Sequence, residues 1–268
     1  MRRRGLSRRG RRWQELRAHR GRSIFLLPSL LTTGNLFCGF LAMILTAEHR
    51  YDQSALAVFV AIVMDMLDGR IARLMHATSQ FGLEFDSLAD MVSFCVAPAY
   101  LLYTFALAQL GRPAWLGAFL FVICGALRLA RFNVHTGTGD RRFFIGLPTP
   151  AAAGLVAATV LLLAGEPLSR GALVAISAAT YLVALLMVST VRYWSFKEIE
   201  FAQRRPLQTL LIVVLAVMIV ATHHEIFTFA LFALYALSGP VRRLMVGRPE
   251  LMAVESERKE SKGVSHNE

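Results

Sequence analysis

Long apolar runs alternate with short polar breaks along this chain, and that alternation defines the elements. Ala114–Leu127, Ala151–Ala164, Ala172–Val188 and Leu207–Thr222 contain no Lys, Arg, Asp or Glu. Runs approaching ~20 apolar residues read as membrane-spanning helices. The pattern predicts eight spans, at about 28–47, 54–75, 88–110, 114–131, 149–166, 171–190, 207–222 and 226–245. The breaks carry helix-stopping or polar residues: Glu48–Asp52, Gly111–Pro113, Gly137–Arg142, Gly165–Arg170, Ser195–Pro206 and His223–Glu225. Pro148 and Pro150 are placed to begin the fifth helix with a fixed entry angle. The fold class expected is an all-α integral membrane protein of about eight transmembrane helices.

Composition supports this: 55% of the 268 residues are hydrophobic. The formal net charge of +11 changes the picture only through its placement. Residues 1–22 hold ten Arg and one acid, Glu15, directly before an apolar segment. Beside a span, such an arm faces anionic lipid and fixes orientation, so no nucleic-acid partner is expected. Pro28, Ser29, Thr32, Thr33, Gly34 and Asn35 make a poor signal-peptide core, and the segment reads as a retained first span. With the N-terminus in the cytoplasm, only Arg50, Arg112 and Arg170 of the 29 Lys and Arg fall outside. One missing helix would invert every later loop, so this asymmetry supports the spans and puts both termini in the cytoplasm. The chain divides into a basic arm (1–23), a transmembrane domain (24–246) and a polar tail (247–268) expected to be disordered. Cys38, Cys95 and Cys124 are scattered in apolar context and read as packing residues, and His223–His224 as a solvated turn.

Chemistry concentrates at the end of the second span. Asp65 and Asp68 are three residues apart, Asp86 and Asp90 four, so each pair shares a helix face. Two antiparallel helices joined by the Leu74–Gln80 turn would bring the four carboxylates together. Like charges crowded at membrane depth need a counter-charge, and hard Mg²⁺ or Mn²⁺ takes oxygen ligands while leaving positions for phosphate. Gly69, Ala72 and Gly82 remove bulk beside the acids, and Arg73 could hold a phosphate bidentately. The bland alternative is a helix–turn–helix whose acids are neutralised by Arg70 and Arg73. Thr32, Thr33 and Asn35 are polar groups in an apolar helix and need partners, either a nucleotide or neighbouring helices. Arg128 and Arg131 either anchor the fourth span or form a guanidinium fork for an acceptor carboxylate or lipid phosphate.

These residues fit D-x2-D-G-x2-A-R-x8-G-x3-D-x3-D from Asp65 to Asp90, and the chain resembles the CDP-alcohol phosphotransferase family. The resemblance implies a six-helix catalytic core with two further helices, a homodimer, and two Mg²⁺ or Mn²⁺ ions per site at the cytoplasmic face of the cell membrane. By it, Asp65, Asp68 and Asp86 hold the metals, and Asp90 completes the second metal site and serves as general base. Gly69, Arg73 and Ser79 would bind CDP-diacylglycerol, with Thr32, Asn35 and Gly82 beside them. Phe25–Phe40, Phe85–Phe94, Gly125–Asn133, Phe144–Gly154 and Val188–Lys197 are similar to the bacterial membrane-embedded branch that uses L-serine as acceptor. Ser29 and Cys95 depart from that branch, which usually has Asn and Gly there. Arg128 and Arg131 are then the candidates for the serine carboxylate. Glycerol 3-phosphate or an inositol compound is the rival acceptor. A cation-coupled transporter is the rival outside this chemistry, but the paired repeats it should show are not evident.

Overall fold

The computed structural model describes residues 29–74, 79–135, 143–165, 167–194 and 224–246. The basic arm, most of the 75–79 turn, the seventh span at 207–222, His223 and the polar tail lie outside the described residues.

The first helix, α1 (Ser29–Ala47), ends in an αL cap. His49 has φ 60°, while Arg50 N–H donates to the Leu45 carbonyl and His49 N–H to that of Thr46. This is the Schellman arrangement, with His where Gly is commoner. It turns the chain into α2 (Tyr51–Leu74), and Ser54 fastens the hairpin through Thr46 Oγ1 and the Ala42 carbonyl. Next comes a bent rod. α3 (Gln80–Asp90) passes into a π-helical turn (Met91–Val96), α4 (Ala97–Phe105) and a 3₁₀ turn (Leu107–Leu110). This span was expected from residue 88. It begins at Gln80 because Ser79 caps it, its Oγ accepting from Gly82 N–H at 3.0 Å. The acids in its first turns lower the hydropathy on which the expected boundary rests.

Four more helices follow among the described residues: α5 (Arg112–His135), α6 (Thr149–Leu163), α7 (Arg170–Val188) and α8 (His224–Val246). Pro148 is the N-cap of α6, with Pro150 in its first turn, as its two prolines imply. α6 is the central helix and packs on α2, α4 and α8. Its small residues Ala152, Ala153, Gly154, Ala157 and Ala158 are buried and let neighbouring backbones approach; a Cβ on Gly154 would overlap the Phe232 ring of α8.

Helices make up the architecture, with one small addition to the all-α expectation. β1 (Phe143–Ile145) pairs antiparallel with β2 (Arg192–Trp194), Phe144 opposite Tyr193. The ribbon needs Gly146, at φ 80°, because a Cβ there would run into the Met187 carbonyl. Tyr193 is fully buried and donates to the Ala236 carbonyl at 3.0 Å, tying ribbon to α8.

By length and composition, four helices among the described residues can cross a membrane: Ser29–Ala47, Gln80–Phe105, Arg112–Val134 and Arg170–Val188. α6 is apolar but shorter. α2 has 24 residues, enough for ~36 Å; Asp65, Asp68, Arg70 and Arg73 keep its second half from reading as plain hydrocarbon. The outer surface is correspondingly apolar, with Phe37, Phe40, Phe119, Leu182 and Leu234 exposed. The eight-span expectation thus meets four clear spans among the described residues, the other expected spans being shorter, more charged or outside those residues.

The loops sort by end. His49–Gln53, Phe105, Ala164 and Gly165 line one cavity, and Gln109, Leu110, Leu168 and Arg170 another. The breaks carrying Arg50, Arg112 and Arg170 therefore share one end, and Asp65 and Asp68, well along α2 from it, lie toward the other.

Candidate active site

Asp65 and Asp68 stand on the last turns of α2, Asp86 and Asp90 on α3. One carboxylate oxygen from each of Asp65, Asp68 and Asp86 lies within 4.8 Å of the others. Asp68 is buried, and Thr32 Oγ1 of α1 donates to its Oδ2 at 2.9 Å. Asp90 sits one turn beyond Asp86, where Asn35 Nδ2 of α1 donates to its Oδ1 at 3.1 Å. Thr32 and Asn35 thus reach the carboxylates themselves, while Thr33 turns back to the Ser29 carbonyl of its own helix.

The residues fit a divalent metal. The donor set is all oxygen, as hard cations require. Asp86 Oδ1 is buried with no hydrogen-bond partner. Arg70, which the bland alternative enlists, is exposed and makes no ion pair with the acids; the one ion pair among the described residues joins Arg50 and Glu48. Gathering carboxylates without a cation is strongly unfavourable at membrane depth.

The glycines differ in what they do. Among the described residues a Cβ on Gly69 would meet nothing within 4 Å, so their packing does not demand glycine and leaves space beside Asp68. A Cβ on Gly82 would lie 3.1 Å from Ser79 Oγ, so Gly82 serves the helix cap. Arg73 is in the last turn of α2.

Just past Asp90 the helix widens. The π turn inserts a residue and shifts the register of the next helical turns by about 100°. Ser93 then meets α1, its Oγ donating to the Asn35 carbonyl at 2.9 Å, and a Cβ on Gly39 would fall 2.6 Å from Ser93 Cα. Cys95 turns to α5, where only the missing side chain of Gly125 makes room for its sulfur. The departure at Cys95 is therefore a packing exchange, and the three cysteines are free and at least partly buried, as read from sequence.

The two arginines of α5 diverge. Arg128 Nη1 donates to Thr149 Oγ1 at 3.3 Å, its Nε is buried without a partner among the described residues, and it stands one turn from Gly125, which packs on Cys95 in the π turn that follows Asp90. Arg131 Nη1 donates to the Val188 carbonyl at 3.4 Å, joining α5 to the end of α7. Sequence reasoning passed over three residues here. Ser87 and Asn133 pair across α3 and α5 (Asn133 Nδ2 to Ser87 Oγ, 2.9 Å), and Thr149 holds Arg128. Ser87 and Asn133 both lie in the family-like segments, but their contact depends on helix packing.

The fold defines a polytopic helical membrane protein, and its carboxylate cluster is one that could hold a divalent cation. Residues 25–188 match the CDP-alcohol phosphatidyltransferase family. The chain is 38% identical over 227 residues to a CDP-diacylglycerol–serine O-phosphatidyltransferase of Helicobacter pylori strain J99, covering 82% of this chain and 91% of the relative. It is 35% identical over 221 residues to the so-named protein of Methanocaldococcus jannaschii, covering 82% and 96%. For that of Bacillus subtilis the figures are 36% over 172 residues, 64% and 92%. The chain belongs to the CDP-alcohol phosphatidyltransferase family.

Proposed function

We propose that this protein transfers the phosphatidyl group of CDP-diacylglycerol to L-serine, giving phosphatidylserine and CMP. The observation that carries the chemistry is the convergence of Asp65, Asp68 and Asp86 beside the open space at Gly69. The serine acceptor is supported by what the relatives are named.

Asp65, Asp68 and Asp86, with Asp90, would hold divalent Mg²⁺ or Mn²⁺, two ions by the family resemblance, which neutralise the pyrophosphate and polarise it toward attack. The lipid's acyl chains stay in the bilayer, while its pyrophosphate occupies the space beside Gly69, with Arg73 as a further phosphate contact. Thr32 and Asn35 hold Asp68 and Asp90 in place from α1. Ser79 and Gly82 shape the start of α3 below the nucleotide. Arg128, with Arg131 nearby on α5, takes the serine carboxylate. Asp90 accepts the hydroxyl proton as the serine oxygen bonds to the lipid-side phosphorus; the bond from that phosphorus to the bridging oxygen breaks, and CMP leaves. Orientation and charge stabilisation supply most of the rate. The same reading places acids and termini at the cytoplasmic face and expects a homodimer.

The test is to incubate purified protein with CDP-diacylglycerol, Mg²⁺ or Mn²⁺, and serine, glycerol 3-phosphate or inositol. Phosphatidylserine with stoichiometric CMP is expected. CMP release with another acceptor alone would move the protein to another branch, and no CMP with any acceptor would end the reading.

A further inference from the structure

Three side-chain polar atoms are buried without a hydrogen-bond partner among the described residues: Asn35 Oδ1, Asp86 Oδ1 and Arg128 Nε. Asp86 Oδ1 belongs to the carboxylate cluster. The other two are an acceptor and a charged donor: Asn35 Nδ2 donates to Asp90, while Arg128 stands one turn from Gly125, which packs on Cys95 in the π turn that follows Asp90.

The Asn35 carboxamide has one possible orientation. A carboxylate can only accept, so Nδ2 must be the end that faces Asp90, and Oδ1 is directed elsewhere. Asn35 is fully buried and its Nδ2 is engaged by Asp90, which keeps the side chain away from water. A buried acceptor without a donor is unfavourable and uncommon, and its presence calls for a donor that arrives with a ligand. Arg128 makes the matching demand: Thr149 occupies one guanidinium nitrogen, while Nε has nothing to donate to.

Resting on the serine reading, we propose that Asn35 Oδ1 accepts a hydrogen bond from the α-ammonium of a zwitterionic amino-acid acceptor whose carboxylate lies on Arg128. The two orphan atoms then read both ends of the acceptor while its hydroxyl reaches Asp90. Asn35 has two functions on one carboxamide: Nδ2 steadies the base, and Oδ1 selects for an amine. Acceptors without an ammonium leave Oδ1 unpaired and are disfavoured by that desolvated atom.

The experiment uses full-length protein in detergent micelles, with inhibition constants against serine for 3-hydroxypropionate, which lacks the amine, and ethanolamine, which lacks the carboxylate. Wild type should prefer serine over 3-hydroxypropionate by at least ~10-fold, the size of one charge-assisted contact. Asn35→Ala should weaken serine and ethanolamine by a similar factor relative to 3-hydroxypropionate. Asn35→Asp, nearly isosteric and still an acceptor, should keep the preference for amines although kcat falls with loss of the donor to Asp90. An amine preference that survives in Asn35→Ala, or is lost in Asn35→Asp, overturns the proposal, as does a wild type indifferent to the amine. A wild type that releases CMP only with acceptors other than serine instead sinks the serine reading on which it rests.

Discussion

At the scale of residues, the acids and the open glycine make opposite predictions. Asp65→Asn, Asp68→Asn, Asp86→Asn and Asp90→Asn should each lower turnover by at least ~10²-fold, since each removes a ligand charge or the base. CDP-lipid binding should suffer least in Asp90→Asn. Near-full activity at any two positions would be incompatible with the carboxylate mechanism. Gly69 tests space instead of charge. A methyl there touches no atom of the described residues within 4 Å, and Ala favours a helix over Gly by ~1 kcal/mol. Gly69→Ala should therefore melt no lower than wild type while its KM for CDP-diacylglycerol rises. An unchanged KM would mean that the phosphates pass elsewhere. Arg128→Ala should raise the serine KM roughly tenfold to a hundredfold, from a lost contact of about 1.5–3 kcal/mol, and barely move that for CDP-diacylglycerol.

At the scale of elements, the site depends on α1 and the π turn as much as on the two helices bearing the acids. α1 supplies the donors to Asp68 and Asp90, and Gly39 brings it against the Ser93 backbone. Backbone cannot yield as a flexible side chain would. Gly39→Ala should thus cost about 1–3 kcal/mol through overpacking, read as a lower Tm, and reduce activity as the Asn35–Asp90 contact loosens. Gly125→Ala should act similarly through Cys95, and Cys95→Gly should relieve it by removing the sulfur it meets. A double variant no more stable than Gly125→Ala would show that the two sites are not coupled.

At the scale of the whole molecule, the loops sort to two ends. Arg50, Arg112 and Arg170 share one end, opposite Asp65 and Asp68, which agrees with the alternation that the basic residues obey. In a background without Cys38, Cys95 and Cys124, single cysteines near Arg50, Arg112, Arg170 and His223 should react with an impermeant reagent from outside. Those near Arg73, Arg141 and Arg204 should not. Outside labelling at Arg141 would mean a miscounted span.

Much of this was legible in the chain because membrane solvation is a one-dimensional constraint: apolar length marks α1, α5 and α7, and prolines mark the start of α6. The four aspartates stood out for the same reason, since charge at membrane depth is costly wherever the chain goes. Local sequence could not say what Thr32 and Asn35 touch, because their partners are 36 and 55 residues away. Nor could it foresee the π turn, whose Ser93 and Cys95 pack against Gly39 and Gly125 on two other helices. The separation of Arg128 from Arg131, adjacent on one helix, likewise depends on where Thr149 and Val188 arrive. Sequence determined which groups must leave lipid, because that depends on side-chain chemistry alone. Tertiary structure decided which of them meet, because meeting is set by how closely helices distant in the chain can pack.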